Sequence, residues 1–122
     1  MDRRSFETLV QDVLDELPPE FSARMENVEV VVEDEPTPAL VRALGMNPRR
    51  DTLFGLYEGV PLSERDTTHP SVLPDKISIF YRPIVREARR PERIREQVRI
   101  TLLHEIAHFF GMDEDVIDDL GY

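Results

Sequence analysis

The chain has 122 residues, no cysteine, and 15 basic against 25 acidic residues, for a formal net charge of −10. Without cysteine neither a disulfide framework nor a thiolate metal site can form, so any bound metal must use imidazole and carboxylate ligands. The acidic balance speaks against a nucleic acid or an anionic membrane surface as partner, since both reward clustered Lys and Arg, and the length suits a single domain over residues 1–122.

The first twenty residues include Asp2, Arg3, Arg4, Glu7, Asp12, Asp15 and Glu16. They hold no apolar signal-peptide core and no membrane-spanning run, so a soluble, cytoplasmic, monomeric protein is expected. Phe6, Leu9, Val10, Val13, Leu14 and Leu17 recur at helical spacing, with Ser5 as the expected N-cap and Pro18-Pro19 as the stop. Val28–Val32 is short and β-branched and reads as a strand, followed by an acidic turn. Thr37, Pro38 and Gly45 frame a short helix over Pro38–Leu44. Leu53–Glu58 and Lys76–Tyr81 read as two further strands, the second with Ile77, Ile79 and Tyr81 on one face. The proline-broken stretch from Gly59 to Asp75 between them is longer than an ordinary connection. From Pro91 a long helix carries Ile94, Val98, Leu102, Leu103, Ile106, Ala107 and Phe110 on its apolar face, and Gly111 is placed to end it before a short acidic tail. The class is α+β.

The last two turns of that helix hold His104-Glu105-Ile106-Ala107-His108, which contains two of the three histidines in the chain. Residues four apart on a helix project from one face, so His104 and His108 can ligate one zinc ion. Glu105 lies one position round, where its carboxylate can act as general base on the water that a zinc ion would activate. The alternative is two histidines hydrogen-bonded within the domain and an exposed Glu105 without a special role.

A catalytic zinc takes three protein ligands and keeps one position open. A left-handed Gly111 would turn the chain back and make Glu114 available as the third, with Asp113 and Asp115 as alternatives one residue away. His69, in the proline-rich stretch, is an outside candidate for ligand or oxyanion donor, and Tyr57 and Tyr81 are further candidate donors. Ile77–Tyr81 could supply the strand edge along which an extended peptide would lie.

His104-Glu105-x-x-His108-x-x-Gly111-x-x-Glu114 resembles the elongated motif of the metzincin and Asp-zincin metallopeptidases, whose eleventh position supplies the third zinc ligand. With Leu53–Arg65, Ile77–Tyr81 and the motif helix, the chain looks like the bacterial minimal zincins over roughly residues 5 to 120. That resemblance implies a mixed sheet flanked by helices, a fourth strand not isolated above, an edge strand beside the cleft, and Zn²⁺ held by His104, His108 and the residue at 114. The family typically has Asp at 114, where this chain has Glu. The implied function is peptide-bond hydrolysis of a peptide or protein substrate, with Glu105 catalytic. Two other readings stand beside it: a catalytically silent zincin fold serving as a protein-interaction module, and a closed structural zinc site, which would need a fourth ligand.

Overall fold

The chain opens on a helix, α1 (Arg3–Asp15), whose cap is Asp2 and not the expected Ser5: the Asp2 carboxylate accepts from the Ser5 N–H at 2.8 Å. A carboxylate three residues upstream of a free amide is the stronger cap for the positive end of the helix dipole. Pro18-Pro19 ends this run as expected, with one further turn at α2 (Pro19–Ser22). The structure, a computed structural model, describes residues 1–61 and 74–122. Much of the long proline-broken stretch, including His69, lies outside the described residues.

Three strands form the sheet among the described residues: β1 (Val28–Glu33), β2 (Gly55–Glu58) and β3 (Asp75–Phe80), in the order β1-β3-β2. β1 runs parallel to β3 and β2 antiparallel to it, so the sheet is mixed. The fourth strand implied by the family is not found among the described residues. Helix α3 (Pro38–Ala43) begins as read, with the Thr37 hydroxyl accepting from the Leu40 N–H and Gly45 left-handed just past its end.

Tyr81 departs from its expected place in a strand and opens α4 (Tyr81–Ala88). Pro83 explains the switch, because a proline in the first helical turn gives up an amide that would have no partner there anyway. β3 pairs with β1 on one side and β2 on the other, so it is central rather than an edge, and Ile77, Ser78, Ile79 and Phe80 are all buried.

The long helix α5 (Pro91–Phe109) carries two buried stripes. Ile94, Val98, Leu102 and Ile106 meet Phe6, Val10 and Val13 of α1 and Ile77 and Ile79 of β3 in the main core. Thr101, Glu105 and Phe109 form the second stripe, also spaced by four. A Cβ added at Gly55 of β2 would lie 2.6 Å from the Thr101 methyl, 3.1 Å from the Ser78 carbonyl and 3.4 Å from the Glu105 side chain. Strand and helix thus approach to a distance that only glycine permits. Gly55→Ala is expected to cost about 1–3 kcal/mol of stability by denaturant unfolding, as overpacking does; an unchanged midpoint would show that β2 does not press on α5 here.

The tail is not irregular. Asp113 caps a final helix, α6 (Glu114–Asp119), by accepting from the Val116 N–H at 3.0 Å, and Ile117 anchors that helix in the interior. The signals are present in the sequence: a capping Asp, acidic residues in the first turn, and Gly121 as the stop.

Candidate metal centre

His104 and His108 project from the last turns of α5, their ring centroids 5.0 Å apart. α5 ends in a motif built on Gly111, which has φ 90°: the Gly111 N–H bonds the His108 carbonyl and the Met112 N–H bonds the Ala107 carbonyl. Glycine takes this left-handed conformation without the penalty that a Cβ would bring. The chain reverses, and α6 begins three residues later beside the two imidazoles.

Glu114, the first residue of α6, places one carboxylate oxygen, Oε1, 2.7 Å from His108 Nε2 and 3.2 Å from His104 Nε2. Asp113 lines the same cleft, but its Oδ1 is engaged in capping α6. Asp115 is exposed and does not line the cleft.

Glu105 is buried, and atoms of His104, Glu105 and His108 that could ligate a metal lie within 4.8 Å of one another. Its carboxylate accepts from the main-chain N–H of Tyr57 in β2. The register explains that contact. Phe80 N–H bonds the Phe54 carbonyl, so by antiparallel alternation Gly55 and Tyr57 turn their main-chain groups away from β3. Among the described residues β2, not β3, is therefore the edge beside the site. This replaces the expectation that Ile77–Tyr81 would offer the edge.

Neither tyrosine singled out as an oxyanion donor directs its hydroxyl to the imidazoles. Tyr57 donates to the buried Asp75 carboxylate at 2.5 Å, while Tyr81 donates to the Met1 carbonyl and packs edge-on against Phe6. The cleft over the site has a volume of about 700 Å³ and mixes apolar walls, from Leu53, Leu56, Ile100 and Met112, with the imidazoles and carboxylates.

Electrostatics set these groups apart. Burial pushes the Glu105 carboxyl above its ordinary value, and the neighbouring His104 and His108 and the Tyr57 N–H only partly cancel that push. Burial lowers the His104 pKa, but a hydrogen bond to the Tyr122 main-chain oxygen and the nearby Glu105 and Glu114 charges outweigh it, for a net rise. Burial raises the Glu114 pKa, yet the two histidines outweigh it and hold the carboxyl below its ordinary value.

The donor set of two imidazole nitrogens and one carboxylate oxygen is one that catalytic zinc sites use. Ligand atoms about 2.0–2.2 Å from a tetrahedral zinc lie roughly 3.3–3.6 Å from one another. The Nε2 to Oε1 separations of 3.2 and 2.7 Å need only a fraction of an ångström of opening to match, and the Glu114 side chain, 59% exposed, has the freedom to give it. His104, His108 and Glu114 could therefore hold such an ion; His104, Glu105 and His108, whose ligand atoms lie within 4.8 Å of one another, are a second set that could.

A family model described as zincin-like metallopeptidase matches residues 25–122. The chain belongs to this family. The match takes in the three strands found among the described residues, α5 with its motif, and α6. A solved structure, that of a conserved hypothetical protein from T. thermophilus, superposes with a TM-score of 0.58 at 23% identity, covering 90% of this chain and 94% of that one. At that identity the likeness is one of fold. No curated protein matches the chain. Among the described residues no helix is long and apolar enough to cross a membrane.

Sequence reasoning missed three participants: Gly55, the Tyr57 N–H and the Tyr122 main-chain oxygen. A glycine opening an apolar strand was a signal for close backbone approach. The other two contacts are made by the main chain and leave no mark in residue type.

Proposed function

We propose that this zincin-like chain is a zinc-dependent metallopeptidase, with His104, His108 and Glu114 holding the metal and Glu105 as general base. The observation that carries this reading is the convergence of both Nε2 atoms on one Glu114 oxygen, beside a buried carboxylate with a raised pKa. When bound, zinc supplies Lewis-acid polarisation of the scissile carbonyl and lowers the pKa of water to about 7.

Each residue then has a distinct task. Glu105 takes the proton from the attacking water and later gives it to the departing amine, and its raised pKa suits it to hold that proton in between. The Tyr57 N–H keeps the Glu105 carboxylate oriented beneath the strand edge. Apart from the Tyr57 N–H, which Glu105 engages, the outward edge of β2 offers an extended peptide backbone pairing, and the apolar walls of the cleft take its side chains.

The direct test is hydrolysis of a mixed peptide library. Cleavage is expected to disappear with a chelator and to return on adding stoichiometric zinc, and cleavage indifferent to both would overturn the reading.

Proton competition gives a second expectation. A histidine raised above 6.5 contributes stability that is present at low pH and is lost as pH climbs through its folded value, whereas a glutamate lowered from 4.5 contributes stability that is lost as pH falls. The His104–Glu114 pairing thus stabilises the metal-free domain most between those limits. Zinc must replace the proton on Nε2, so the rise in melting temperature on adding zinc is expected to grow from about pH 5 to about pH 8. An increment independent of pH would place the metal at other ligands.

One observation favours a second reading, a silent zincin fold acting in protein interaction: Glu114 already satisfies both imidazoles without a metal. Absence of zinc binding at micromolar zinc would select it.

A further inference from the structure

The segment after Gly111 touches His104 at both ring nitrogens. Glu114, at the start of α6, faces Nε2, and the Tyr122 main-chain oxygen, just past the end of α6, lies 3.0 Å from Nδ1. We propose that Tyr122, through this main-chain oxygen, is a positioning residue for the metal centre: it holds the His104 proton on Nδ1 and so presents the Nε2 lone pair to the ion.

The contact follows from how α6 ends. Its C-cap is Leu120, and Gly121 follows with φ 87°. The Gly121 N–H bonds the Asp118 carbonyl and the Tyr122 N–H bonds the Ile117 carbonyl, which together make a Schellman closure. Ile117, fully buried, ties this closure to the interior. The position of the Tyr122 oxygen is therefore set by a hydrogen-bonded turn on a buried anchor rather than by a loose end. A ring nitrogen that donates to a main-chain or carboxylate oxygen has its tautomer and its rotation fixed, and the opposite nitrogen becomes a better ligand. α6 thus works as one unit, supplying a side-chain carboxylate to one side of His104 and a main-chain oxygen to the other.

This inference rests on the zinc reading above, but its tests do not use hydrolysis, so the two can fail separately. Deleting Tyr122 removes the acceptor, while Tyr122→Ala keeps the main-chain oxygen and removes only the ring. Zinc affinity by competition titration is expected to fall about 10- to 100-fold in the deletion, the usual cost of losing an outer-shell partner, and to stay within about twofold in Tyr122→Ala. In zinc-loaded protein labelled with ¹⁵N, the His104 Nδ1–H resonance is expected to be protected from solvent exchange in wild type and in Tyr122→Ala, and lost in the deletion.

An affinity unchanged by the deletion, or a loss as large in Tyr122→Ala, would overturn the proposal. The same resonance is read in the metal-free protein, where a wild type without a protected Nδ1–H would overturn it whether or not zinc binds.

Discussion

Replacing Glu105 by glutamine is expected to lower peptide hydrolysis by about 10²- to 10⁴-fold, the range that a positioned general base contributes, while zinc remains bound at one equivalent. Glutamine has nearly the same shape and its carboxamide oxygen can still accept from the Tyr57 N–H, so the packing under β2 is kept. Only the ability to take up a proton is lost. Glu105 suits this task because β2 covers it: burial raises its pKa, and the two imidazoles and the Tyr57 N–H keep that rise in check. Single-turnover cleavage of a fluorogenic peptide, with metal content measured on the same sample, checks the expectation. Hydrolysis within about tenfold of wild type would remove Glu105 from the base role. Loss of zinc together with activity would instead make Glu105 a ligand.

The second large effect concerns the metal itself. On the proposed zinc reading His104→Ala removes a ligand rather than a partner of a ligand, so zinc affinity is expected to fall by more than the roughly 100-fold upper limit of outer-shell changes, and stoichiometric zinc should be lost from purified protein. Glu114→Ala is expected to weaken binding less severely, since two imidazoles remain on one helix face. Elemental analysis and calorimetric titration of both variants against wild type would measure this. Full zinc occupancy in His104→Ala would exclude the site, and unchanged affinity in Glu114→Ala would leave the third ligand to another residue. The metal-free pairing sharpens the comparison: without Glu114, both Nε2 atoms lose the oxygen that faces them.

A zincin-like centre of this size has few parts, and they are placed by different means. The histidine pair depends on one helix. Glu114 depends on the turn at Gly111 and on Asp113, which is occupied in capping α6. Glu here reaches both imidazoles with one oxygen, at 3.2 and 2.7 Å, although the family resemblance makes Asp the usual residue.

Much is legible from residue order because it follows from interactions a few residues apart. The i, i+4 spacing of His104 and His108, the glycine stop at 111, the Thr37 cap and the β-branched run of β1 are all local, and each stands in the structure where the sequence puts it. The departures at Ser5 and Tyr81 are also local, where a stronger cap at Asp2 and a tolerated Pro83 outcompete the expected arrangement. The acidic tail carries its helix signals openly, in Asp113 and Gly121.

Only tertiary structure decided which strand borders the site, why Glu105 is buried and what holds His104. β3 is central because β1 and β2 pair with its two edges from opposite sides, a matter of contacts between segments far apart in the chain. Glu105 is buried because Gly55, far upstream in sequence, lets β2 come down on α5. His104 is held by a main-chain oxygen, which every residue possesses and no composition reveals. Short-range patterns record helical geometry in side-chain identity, whereas pairing between distant strands and main-chain acceptors is fixed by the packing of the whole domain.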